Sequence, residues 1–95
     1  MREPKVGELR SLVLRASRHD PHLTSRLEKA AFLVLLRSVA QVGVDSYSVG
    51  SEDGLRTYKI VRGHCECSDY VRHGPGHRCK HRLALMLRSA LWEAI

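Results

Sequence analysis

The chain has 95 residues, 16 Lys and Arg against 10 Asp and Glu, a formal net charge of +6 and 43% hydrophobic residues. That composition suits a single domain, residues 1–95, with one modest core, and no apolar run approaches the roughly 20 residues that span a bilayer. The start, Met1-Arg2-Glu3-Pro4, lacks the apolar stretch of a secretion signal, so the expectation is a soluble cytoplasmic protein in a reducing compartment, away from any membrane.

Residues 1–43 read as helical. Val6, Leu9, Leu12, Val13 and Ala16 recur at three- and four-residue steps, with Pro4 acceptable in a first turn and Gly7 weakening the pattern. His19-Asp20-Pro21 interrupts it. Either Asp20 followed by Pro21, or Ser25 with Glu28 three residues later, then starts a second helix that is expected to run to about Val42 and stop at Gly43. Within it Ala30-Ala31-Phe32-Leu33-Val34-Leu35-Leu36 is apolar nearly all round. Such a helix is either the central element of the core or a contact with another protein, including a second copy of the chain.

A hairpin follows. Ser46-Tyr47-Ser48-Val49 alternates polar and apolar, Ser51-Glu52-Asp53-Gly54 has turn chemistry, and Leu55 to Val61 resumes strand character. Tyr47, Val49, Tyr58 and Ile60 are read as core or cross-strand packing.

All three cysteines fall in one short stretch, as Cys65-x-Cys67, eleven residues, then Cys79-x-His81. Zn²⁺ favours a tetrahedron of thiolate and imidazole donors, and two closely spaced ligand pairs joined by a short loop let a small chain close one. Residues two apart in an extended strand point to the same side, which suits Cys65 and Cys67. On a helix they diverge, so Cys79 is expected just outside a helix start and His81 in its first turn. Leu83, Leu87, Ala90 and Leu91 continue with helical spacing to about Trp92. His77-x-Cys79 has the same offset as Cys79-x-His81, so His77 is the alternative fourth ligand. His64, beside the first cysteine, reads as a neighbour or outer-shell donor. The fold class is therefore α+β: N-terminal helices, an antiparallel hairpin or small sheet of two or three strands, and a C-terminal helix tied to the sheet by one structural zinc ion.

Cys65-Glu66-Cys67-Ser68-Asp69-Tyr70, then Cys79-Lys80-His81-Arg82-Leu83-Ala84-Leu85, resembles the SWIM-type zinc finger, whose pattern is C-x-C, a variable loop, then C-x-H. Members commonly carry a tyrosine and a β-branched residue in a strand before the first cysteine, matched by Tyr58 and Ile60. An Asp-aromatic pair often follows the second, matched by Asp69 and Tyr70, while a frequent preceding proline is replaced here by Ser68. The resemblance covers roughly residues 57–87. It implies a ββα zinc unit over residues 46–92, with Cys65, Cys67, Cys79 and His81 as its ligands. Because such fingers occur in helicase-like ATPases, Mutator-type transposases, certain protein kinases and recombination accessory complexes, it also implies a DNA-binding or protein-binding module and not a reaction.

Charge points to the partner. Residues 55–95 hold eight Lys and Arg against Glu66, Asp69 and Glu93, a surplus of five out of the net six. Three thiolates subtract three charges and Zn²⁺ restores two, which leaves about +5 in the metal-bound form. Arg62, Arg72, Arg78, Lys80 and Arg82 flank the ligands, and a helix N-terminus adds backbone N–H donors suited to phosphate. Gly74-Pro75-Gly76 makes the intervening loop bend and stay exposed. These residues are the candidate nucleic-acid surface, with DNA as the expected partner and phosphate contacts dominant, since Tyr70 is the only aromatic near the loop.

An enzyme is not expected. The chain has no phosphate-binding glycine loop, no nucleophile elbow and no carboxylate cluster, and four protein ligands leave zinc no open position for substrate. Two readings remain: a small DNA-binding accessory or regulatory protein of a nucleic-acid-processing complex, or an adapter that binds protein through the helix around Phe32 or the stripe ending at Trp92 and Ile95.

Overall fold

The computed structural model describes residues 6–93 and opens with α1, Val6–His19. Leu9 of α1 is buried, and Leu12, Val13 and Ala16 pack half-buried against the core, so the helical spacing of these residues becomes one contact face. The interruption at Asp20 is a tight turn. Asp20 N–H donates to the Ala16 carbonyl, and Pro21–Leu23 makes a single 3₁₀ turn. That turn leads without a gap into α2, Thr24–Leu36, whose start is braced by hydrogen bonds from Thr24 Oγ1 to the Pro21 carbonyl and between the Ser17 and Thr24 hydroxyls. Asp20 provides no side-chain cap.

Helix α2 ends at Leu36, well short of Val42. Arg37 takes extended backbone angles (φ −127°, ψ 175°) while its N–H still caps the Leu33 carbonyl. From there Val39–Gly43 forms strand β1, paired antiparallel with β2, Ser46–Gly50, in a register that sets Val39 opposite Val49. Sheet pairing and burial of these valines outweigh the weak helical preference of the segment. Arg37 secures the change of direction. Its guanidinium donates to the carbonyls of Leu36, Ser51 and Glu52 and lies over the Phe32 ring.

Strand β3, Thr57–Val61, and the short β4, His64–Cys65, complete a four-stranded antiparallel sheet in the order β1-β2-β3-β4. The expected turn after Val49 is a longer loop, because Gly50 pairs with Thr57 and Leu55 stays outside the strand, 83% exposed. Ser51 Oγ donates to Asp53 Oδ1, which also accepts the Leu55 N–H, and these bonds close the loop. Arg62 and Gly63 form a two-residue hairpin turn between β3 and β4. Both have positive φ (52° and 81°), the geometry that matches the strand twist.

Two helices follow: α3, Ser68–His73, within the segment read from sequence as loop, and α4, Lys80–Glu93. Helix α4 packs along α2, and it also meets α1, β1 and β2. The core therefore lies between the three long helices and one face of the sheet. Leu27, Ala30, Leu33 and Val34 of α2 bury one face there with Val39, Val49 and Ile60 of the sheet and Leu83, Ala84 and Leu87 of α4. The other side of the apolar α2 run faces outward, with Phe32, Leu35 and Leu36 exposed. Pro4 and Ile95, together with the side chains of Leu91 and Trp92, lie outside the described residues. Among the described residues no helix is long and apolar enough to cross a membrane.

Candidate metal centre

Cys65 sits in β4 opposite Ile60, so pairing with the sheet fixes its direction. Backbone and side chain of Glu66 both bond Lys59 and extend that anchorage by one residue. Cys67 is the N-cap of α3, where its sulfur accepts the Tyr70 N–H at 3.4 Å. Cys79 immediately precedes α4, its carbonyl accepting the Leu83 N–H, and His81 lies in the first turn. The His81 ring rests against Tyr58, with centroids 4.4 Å apart.

Sheet end, α3 start and α4 start thereby converge. One donor atom from each of Cys65, Cys67, Cys79 and His81 lies within 4.8 Å of the other three, and all four residues are buried. His81 Nδ1 is 3.8 Å from Cys65 Sγ. For bonds of about 2.3 Å to sulfur and about 2.0–2.1 Å to nitrogen, a tetrahedral ion separates those donors by about 3.6 Å, so little movement is needed to close the shell. The other ring nitrogen, Nε2, is buried without a hydrogen-bond partner.

The polypeptide shifts the three thiols unequally. The hydrogen bond from Cys65 holds the Cys79 thiol down, to about 4, whereas the same bond and burial push Cys65 up, and burial pushes Cys67 up. The polypeptide alone thus favours one thiolate held by its neighbours. A divalent ion supplies the charge that lets the other two ionise. The cluster can hold one metal ion, and with four protein donors it is closed in the manner of a structural site.

Comparison with family models, with curated proteins and with solved structures finds no match. The donor set and its geometry therefore carry the functional argument. They are compatible with a zinc finger.

His77 is directed elsewhere. Its Nε2 lies 2.9 Å from Asp69 Oδ2. His64 Nδ1 bonds the Tyr70 hydroxyl at 2.9 Å, so it braces α3.

The five basic candidates divide into two groups. Arg62 at the β3–β4 turn and Arg72 on α3 are exposed and form no ion pair among the described residues. Arg78 is exposed and within 3.4 Å of the Asp20 carboxylate. Lys80 is paired at 2.6 Å with Glu52, and Arg82 donates to the His77 carbonyl and lies over the Tyr70 ring. Those two hold the loops around the centre in place. Arg26 and Lys29, which the sequence reading passed over, line a cleft of about 340 Å³ with Lys80, Cys67, Cys79 and His81. Their signal was only a pair of cations three residues apart on a helix, and it took the packing of α2 on α4 to bring them to the centre.

Proposed function

We propose that the chain is a structural zinc module of the SWIM type whose C-terminal half contacts nucleic acid, most directly DNA, through phosphates. The observation that carries this reading is the convergence of the three cysteines and His81 at one buried point, with Arg72 and Arg78 exposed on the segment between the two donor pairs. Three thiolates and one imidazole are the donor chemistry of zinc among the common cellular ions. The ion's part is structural: it ties β4, α3 and α4 together. The exposed arginines, with Arg62 at the neighbouring turn, offer the charge that a phosphate backbone attracts. Arg26 and Lys29 add further positive charge in the cleft beside the centre, which Asp69 also lines. Fluorescence anisotropy on duplex and single-stranded DNA across a salt series tests the reading. Affinity that falls steeply with salt supports it, and no binding at low salt defeats it.

The adapter reading keeps one specific support. Phe32, Leu35 and Leu36 leave an apolar edge of α2 exposed, at 37%, 40% and 61%. A protein that binds no DNA but self-associates or captures a protein partner through that edge, and loses this with Leu36→Glu, would be an adapter.

A further inference from the structure

We infer a second cation site, separate from the cysteine centre, in which Asp69, His73 and His77 bind one borderline divalent cation such as Zn²⁺ or Co²⁺ in exchange with solvent. It goes beyond the proposed function and does not rest on nucleic-acid binding. A donor atom from each of the three residues lies within 4.8 Å of the other two. The Asp69 carboxylate presents one oxygen to each ring: Oδ2 is 2.9 Å from His77 Nε2 and Oδ1 is 3.2 Å from His73 Nδ1. These are hydrogen-bond separations, and an ion with bonds of about 2.0–2.1 Å to nitrogen and oxygen would widen each ligated pair only to about 3.3 Å.

The three donors are held by three different devices. Helix α3 places Asp69 and His73 one turn apart on the same face. Gly74 and Gly76, both at φ 89°, turn the chain back, a conformation that glycine adopts without strain. Arg82 of α4 then fixes the returning strand by donating to the His77 carbonyl at 2.7 Å. The outcome is two imidazoles stacked face to face, centroids 4.2 Å apart and 16° from parallel, beside one carboxylate. Lone pairs of stacked rings run parallel, so the half-exposed His73 ring has to turn about its Cβ–Cγ bond to share an ion with His77.

Binding moves protons without consuming any. Each neutral imidazole carries its single proton on the nitrogen turned away and directs a lone pair to the ion, and His73 Nδ1 gives up its contact with the Asp69 carbonyl. Two imidazoles and a carboxylate select borderline first-row ions over Mg²⁺ or Ca²⁺. His77 is largely buried, at 12% side-chain exposure, whereas Asp69 and His73 are 43% and 49% exposed. Water therefore completes the shell. The ion exchanges faster and binds more weakly than at the closed Cys₃His centre.

The test uses the full chain loaded with one equivalent of Zn²⁺ and titrated calorimetrically with further Zn²⁺ or Co²⁺. A second equivalent is expected, weakened at least tenfold by His73→Ala, with the first equivalent retained in that variant. His73 is half exposed, so its removal opens no buried cavity. Proton NMR during the Co²⁺ titration should show the ring signals of His73 and His77 broadened before those of His19 and His22. A total of one bound ion overturns the site, as does an unchanged second equivalent in His73→Ala or first broadening at His19 or His22.

Discussion

His81 Nδ1 lies 3.8 Å from the sulfur of Cys65, which joins the first turn of α4 to the last strand of the sheet across sixteen positions of sequence. Without a bridging ion that junction consists of three buried thiols and an imidazole, a poor substitute for hydrophobic packing in a domain of this size. His81→Ala should weaken Zn²⁺ binding at the cysteine centre by more than the roughly 10–100-fold that loss of an outer-shell partner costs. His77→Ala should leave that affinity nearly unchanged, because His77 faces Asp69. Competition with a chromophoric chelator measures both, and full retention of zinc by His81→Ala would exclude it as a ligand.

Stripping the ion should loosen the C-terminal half. Zinc-finger peptides draw on the order of 10 kcal/mol of folding free energy from their ion. Cys65, Cys67 and Cys79 all belong to the continuous core cluster that includes Leu83 and Leu87, so the loss should reach α4. Circular dichroism and thermal melts with and without a strong chelator report it. An unchanged transition after complete extraction of zinc would rule out a structural role.

The arginines should separate by salt dependence. Arg72→Ala and Arg78→Ala should each lower the slope of log affinity against log salt by about 0.9 if each meets one duplex phosphate, with stability preserved. Arg82→Ala should instead lower stability by about 1–3 kcal/mol, because its guanidinium supports the His77 carbonyl and packs on Tyr70. Urea unfolding beside the DNA titration distinguishes the two effects.

The faces of α2 give a packing prediction. Leu33 is fully buried, and Leu33→Ala should cost about 2–5 kcal/mol. Leu36 is 61% exposed, and Leu36→Ala should change stability by at most about 0.5 kcal/mol. Chemical denaturation of both variants tests this division between core and surface.

Acid should release one fastening of the β2–β3 loop. The hydrogen bond from Lys80 holds the Glu52 carboxyl below its ordinary value. Its contribution is therefore complete above the unfolded carboxylate pKa, near 4.3, and is lost as pH falls through the lower folded value. The pair is partly exposed, so its worth is about 0.2–1 kcal/mol. Wild type should exceed Glu52→Gln by that amount at pH 7, and the gap should close below pH 4. Taking the difference between the two proteins at each pH cancels the acid lability that the cysteine centre gives to both.

The donor cluster was legible because both pairs are local in sequence and each spacing has a geometric meaning in a strand end or a helix start. The mixed helix-and-sheet class was legible for the same kind of reason, in the periodicity of Leu9 to Ala16 and the alternation of Ser46 to Val49. What was not legible depended on distant partners. The run from Ala30 to Val42 has no internal stop signal, and β1 exists because Val39 pairs with Val49 and Arg37 bonds the carbonyls of Ser51 and Glu52. Helix α3 is only six residues long and is capped by the sulfur of Cys67, an unusual N-cap that propensity does not anticipate. Arg62-Gly63 did carry a local signal, a glycine at a two-residue turn, but the brevity of β4 concealed the hairpin around it.

Zinc K-edge X-ray absorption on the protein carrying one equivalent of Zn²⁺ addresses the central claim most directly, since it reports ligand type and number without relying on a variant that folds. The account predicts three sulfur donors at about 2.3 Å and one nitrogen at about 2.0–2.1 Å. A shell with fewer than three sulfurs, or with nitrogen and oxygen donors alone, would contradict it.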